Sequence, residues 1–83
     1  MTNKYERKGK ALKGDNQFLV RLGARVRELR EKLEIGQDVL AERCEHTQPW
    51  VSNLERGRID ARASVLPRLA KALRTTVGEL LTW

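Results

Sequence analysis

With 83 residues the chain is one small domain, near the lower size at which a single hydrophobic core holds a fold unaided. Its 17 Lys and Arg outnumber 11 Asp and Glu, giving a formal net charge of +6 and a pI near 10.1, a balance that favours a polyanionic partner. One cysteine cannot close an intramolecular disulfide, no apolar run approaches the roughly 18 residues of a membrane span, and the basic start lacks the apolar centre of a secretory leader, so the expected compartment is the cytoplasm.

Residues 1–15 read as a basic, flexible arm. Lys4, Arg7, Lys8, Lys10 and Lys13 stand against Glu6 and Asp15, and only Tyr5, Ala11 and Leu12 are notably apolar. Such a segment buries too little surface to offset its ordering entropy. It is either an electrostatic arm that follows a nucleic-acid backbone or enters a minor groove, or a plain disordered tail.

Residues 16–83 form the body. Leu19, Leu22, Val26, Leu29 and Leu33 recur at spacings of three and four, which predicts one amphipathic helix ending near Leu33. A second helix is predicted from about Gln37 and a third from about Gln48, and Leu66 to Leu73 supply a fourth. The capping box Thr76-Val77-Gly78-Glu79 opens a short fifth, to about Leu81. No alternating strand pattern and no repeat interrupts this series. The expected fold is therefore all-α, a compact bundle of five short helices.

Pro49 and Pro67 constrain the boundaries. Pro49 follows Thr47, a good N-cap, by two residues, and first-turn amides have no intrahelical partner, so its missing N–H costs little. Pro67 inside a helix would cost about 3 kcal/mol, so Arg58 to Ala63 read as loop, with Ser64 as the expected cap of the fourth helix.

The second and third helical patterns lie only a few residues apart. Leu40 and Ala41 give one its apolar face, Val51 and Leu54 the other, and Cys44-Glu45-His46 must turn sharply between them, which spells a helix-turn-helix. With Val51 and Leu54 facing the core, Gln48, Pro49, Ser52 and Asn53 are left toward the open side. Gln and Asn amides at the start of a helix can bond adenine N6 and N7 together in a major groove.

Gln37, Leu40-Ala41, Thr47-Gln48-Pro49, Ser52-x-Leu54-Glu55-Arg56-Gly57, Leu66-x-x-Leu69-Ala70-x-Ala72-Leu73 and Thr76-x-x-Glu79-Leu80-Leu81 together resemble the phage-repressor and Cro-like helix-turn-helix family. The resemblance covers about residues 17–82. It implies a lambda-repressor-like DNA-binding domain over 16–83, with Gln48 and Asn53 as base readers, Pro49 and Ser52 supporting them, and Gln37, Thr47, Arg56 and Arg58 on phosphates. Two placements of Trp50 stay open: its ring on a sugar with the indole N–H on a phosphate, or packing on the second helix. Arg30 and Glu55 are implied to be a structural ion pair. The chain departs from the family pattern where Glu34, Glu45 and Arg74 replace the usual Gly; a positive φ at such a site would cost each of them about 1 kcal/mol. Gly36 stands in place of the usual Ser or Thr cap.

An enzyme is not expected. His46 is the only histidine and Cys44 the only cysteine, so a metal site or Cys-His pair would need both in one tight turn; Cys44 reads instead as a buried thiol. No metal or cofactor is expected. The implied function is a prokaryotic or phage transcription regulator, a repressor or activator that binds a palindromic operator as a homodimer, with Leu80, Leu81 and Trp83 at the dimer interface. The alternative is an antitoxin-type module that also binds its own operator. Double-stranded DNA is the partner in both, with a toxin or RNA polymerase as the protein partner to consider.

Overall fold

A computed structural model describes residues 13–83, and their side chains from residue 16 onward. Five α-helices follow in order: α1 (Lys13–Lys32), α2 (Gln37–Arg43), α3 (Gln48–Glu55), α4 (Leu66–Ala72) and α5 (Val77–Leu80), with a 3₁₀ turn at Ala63–Val65 ahead of α4. No strand occurs among the described residues. The first helix opens at Lys13, three residues before the expected start of the body at residue 16. The rest of the arm lies outside the described residues.

Periodicity decides what is buried. Leu22 and Val26 of α1 meet Leu40 of α2, Val51 and Leu54 of α3, Leu69 of α4 and Leu80 of α5 in one core, all fully or almost fully buried. Each such side chain contributes on the order of 2 kcal/mol by leaving water. Leu19, Leu29 and Leu33 line the same face of α1 but stay half-buried. The two threonine caps form as their spacing requires: Thr47 Oγ1 accepts the Trp50 N–H at 3.3 Å, and Thr76 Oγ1 accepts the Glu79 N–H at 3.1 Å. Pro67 falls in the first turn of α4, where it removes no helical bond. Ser64 is not the cap, however. It lies inside the 3₁₀ turn, and α4 opens on Val65 with no side-chain cap.

The first four helices end alike. The residue after the last turn takes a left-handed conformation, and two backbone bonds close back on the helix, as His46 N–H to Ala41 O (2.9 Å) and Glu45 N–H to Glu42 O (3.2 Å) do for α2. Only α3 uses glycine there, Gly57 at φ 71°; the others use Glu34 (56°), Glu45 (62°) and Arg74 (56°). A β-carbon is strained at these angles by about 1 kcal/mol or more, whereas glycine loses more entropy on folding. The first effect exceeds the second. Glu34→Gly is therefore expected to stabilise the fold by about 0.5 to 1 kcal/mol and to raise the melting temperature by several degrees; a fall in thermal unfolding temperature would contradict the strain.

One long-range tie is invisible to periodicity. Arg25 of α1 donates from Nε and Nη2 to Glu79 O, at 3.1 and 2.9 Å, and from Nη1 to Glu28 Oε1 at 2.9 Å. It thereby satisfies a carbonyl at the end of α5, which is too short to stand without packing.

Candidate nucleic-acid interface

The third helix is fixed from two sides. Val51 and Leu54 press it into the core, and at Gly23 the first helix crosses it so closely that a built Cβ would press on Leu54 O and come within 2.7 Å of Glu55 O. The sequence signal was a lone glycine inside an amphipathic helix, which marks close backbone approach, and the motif-based reading passed over it.

A chain of polar contacts then runs from this crossing to the helix start. Arg30 Nε donates to Glu55 Oε2 at 2.6 Å and Nη2 to Oε1 at 3.0 Å, a two-pronged pair, while Nη1 donates to Ile35 O at 2.9 Å. The Glu55 side chain is only 4% exposed and that of Arg30 13%. Glu55 sits in the last turn of α3, where the helix dipole disfavours a carboxylate, so the guanidinium is its compensation. Reciprocally, the hydrogen bond that Arg30 donates to Glu55 raises the Arg30 pKa further, against the opposing effect of burial. Gln37 Nε2 donates to the same Glu55 Oε1 at 3.0 Å, and Gln48 Nε2 donates to Gln37 Oε1 at 2.6 Å. The Gln37 amide orientation is thus set by a carboxylate, which can only accept, and it sets that of Gln48 in turn.

The free groups follow by subtraction. Gln48 keeps its second amide hydrogen and its carbonyl oxygen, side by side on an exposed residue, the pair that matches adenine N7 and N6. Gln37 keeps one N–H and Thr47 its hydroxyl hydrogen, each a donor suited to a phosphate oxygen. Pro49 is exposed, Ser52 and Asn53 are half-buried, and Arg56 and Arg58 project as exposed cations at and beyond the end of α3, joined on the same loop by exposed Arg62, which motif reading left out.

Two placements go beyond or against expectation. Trp50 is partly buried against the core, and its ring also stacks on His46 of the turn, centroids 3.7 Å apart and planes 11° from parallel, so it braces the turn. Leu80 is not an interface residue. It is 0% exposed because α5 turns it into the chain's own core, which leaves half-buried Leu81 and Trp83, 47% exposed, at the edge. Trp83 packs on Phe18 of α1 with ring centroids 5.4 Å apart. Cys44 is fully buried with its Sγ 3.7 Å from Ala41 O, and burial raises its thiol pKa.

Among the described residues no helix is long and apolar enough to cross a membrane, and no three His, Cys, Asp or Glu side chains gather as a metal site would need. A family profile described as a helix-turn-helix domain matches residues 21–83. Solved structures are similar over most of the chain. The restriction-modification controller protein C.AhdI from Aeromonas hydrophila is 32% identical, with 78% of this chain and 94% of that one covered at a TM-score of 0.75. The clp gene regulator ClgR from Corynebacterium glutamicum is 30% identical, covering 77% of this chain and 82% of that one, also at 0.75. The hypothetical transcription factor NHTF from Neisseria is 26% identical, covering 88% and 84%, again at 0.75. Among curated proteins none matches.

Proposed function

Because the chain belongs to the helix-turn-helix domain family, we propose that it is a DNA-binding transcription regulator that sets the start of α3 into the major groove of a palindromic operator and does so as a homodimer. The observation that carries this reading is the oriented amide of Gln48, held by Gln37 with one N–H and its carbonyl oxygen left outward. Gln48 and Asn53 read base edges, Ser52 and Pro49 support them, and Gln37, Thr47, Arg56 and Arg58 hold phosphates. Trp50 contributes through the turn it braces.

The two classes of contact have different signatures. Gln48→Ala or Asn53→Ala is expected to cost about 1 to 3 kcal/mol on the operator and to relax preference at one or two base positions, with random duplex bound nearly as before. Arg58→Ala is expected to weaken operator and random DNA alike and to reduce the slope of log affinity against log salt by about one. Selection of bound sequences from random duplexes, run on each folded variant, separates the two. If both amide variants kept the parent's base preference, α3 would not be the reading element and a protein-binding role would be the better account.

One α3 reads only a few base pairs, so a second copy about one helical turn along the duplex is the economical way to lengthen the site. Leu81 and the Trp83–Phe18 pair form the apolar edge for an isologous contact. Trp83→Ala is expected to weaken the dimer at least tenfold in sedimentation equilibrium; an unchanged constant would put the interface elsewhere.

A further inference from the structure

The strongest feature left unused by DNA reading is a recess of about 500 Å³ where the C-terminal ends of α2 and α4 meet, lined by Arg43, Glu45, Arg68, Lys71, Ala72 and Arg74. Four cations face one carboxylate. Cations are favoured at helix C-termini, each worth about half a negative charge, so the two helix ends and Glu45 together offset about two of the four. A surplus of about two positive charges remains in one small depression, where like charges repel.

The arrangement is also ordered. Arg43 Nη1 donates to Ala72 O at 3.3 Å and Arg68 Nη1 to Cys44 O at 3.5 Å, so each guanidinium is tethered by one N–H, and four of the five donors on each lie beyond that tether. Glu45 Oε1 lies 4.0 Å from Arg68 Nη1, a loose pair that an incoming carboxylate can replace. Independently, Glu45 and Arg74 are two of the three non-glycine residues held in the left-handed region among the described residues. Backbone strain of this kind clusters at functional sites, and two of its three instances border this recess.

We propose that this recess docks an acidic segment of a partner protein, one that presents two or more carboxylates, while α3 is on DNA. Shape favours a peptide over a duplex: exposed guanidinium forks around a concave recess accept single carboxylates on flexible stems, whereas duplex phosphates lie on a stiff convex cylinder. The paired Gln37 and Gln48 amides proposed to face DNA lie at the N-terminal ends of α2 and α3, and the recess lies at the C-terminal ends of α2 and α4. A second copy of this chain is a poor occupant, because its 11 acidic residues include no adjacent pair.

The probe is a capped octaglutamate peptide, titrated into the full chain at physiological salt while arginine Nε–H and backbone amide signals are followed by NMR. Shifts are expected at Arg43, Arg68 and Arg74, with peptide affinity changed less than threefold when the protein is first saturated with random duplex. Arg68→Gln/Lys71→Gln is expected to weaken the peptide at least tenfold and the duplex less than threefold. Arg74→Gly removes one cation and also relieves strain, so it remains folded; several-fold weaker peptide binding is expected with a higher melting temperature. Shifts confined to α3 and Arg56, displacement of the peptide by duplex, or movement of the Arg43 and Arg68 signals by duplex alone would each overturn the proposal, the last assigning the recess to the DNA backbone. None of these outcomes depends on whether Gln48 reads a base.

Discussion

Gly23→Ala is expected to lower stability by about 2 to 3 kcal/mol, and Gly23→Val to prevent folding at room temperature. Two effects oppose each other at this position. Alanine is the better helix former, by up to about 1 kcal/mol at an interior site. Against that, the new Cβ meets Leu54 O and, at 2.7 and 2.8 Å, the Glu55 carbonyl oxygen and carbon. These are backbone atoms of the last turn of α3, which Gly57 and the core residue Leu54 hold in place, so no side chain can swing aside. Overpacking in a tight site costs about 1 to 3 kcal/mol when side chains can adjust, and more when backbones must separate. The clash therefore exceeds the propensity gain. Circular dichroism melts should show a drop of about 10 °C or more for alanine; a melt at or above that of the parent would mean that α1 and α3 are not in backbone contact. Any separation of the helices also moves Glu55 away from Arg30, so DNA binding is expected to weaken even under conditions where the variant is folded.

The features legible in the sequence are those decided within a few residues of chain. Thr47 and Thr76 cap as their spacing predicts, Pro49 and Pro67 sit in first turns, and the positions where Glu34, Glu45 and Arg74 replace an expected glycine are left-handed in all three cases. Local backbone geometry has local causes. What periodicity cannot say is which element lies opposite. Leu80 is apolar and near the chain's edge, and nothing in its neighbours distinguishes a core of the same chain from the surface of a second copy; only the return of α5 onto α1, fastened by Arg25 at Glu79 O, buries it. The same holds for the Trp50–His46 stack and for the cationic recess, whose residues come from two helices and two turns. Among the proposed interface residues, the motif singles out Gln48 and Gln37 separately but not their mutual contact, because side-chain orientation depends on Glu55, which lies 18 residues from Gln37 along the chain.

That dependence makes the Arg30–Glu55 pair the second site of large effect, with two outcomes that come apart. Arg30→Met leaves a carboxylate that is 4% exposed facing a single amide, and removing one partner of a buried pair costs about 3 to 5 kcal/mol. Arg30 keeps some exposure, so the lower end is expected: about 3 kcal/mol, or on the order of 15 °C in the melting temperature. The double variant Arg30→Met/Glu55→Met removes both charges and their desolvation cost, and apolar replacements of a buried pair are commonly neutral. Its melt should return to within several degrees of the parent. Base reading should not return with it. Without Glu55 as acceptor, the Gln37 amide can flip, and Gln48 then loses the partner that fixes which of its atoms donates. The double variant is expected to fold, to bind random duplex within a few-fold of the parent, and to lose discrimination at the base pair proposed for Gln48 by roughly the 1 to 3 kcal/mol of one two-pronged contact. A double variant with restored stability and undiminished discrimination would show that the pair serves stability alone, and that Gln48 takes its orientation from the DNA rather than from Gln37.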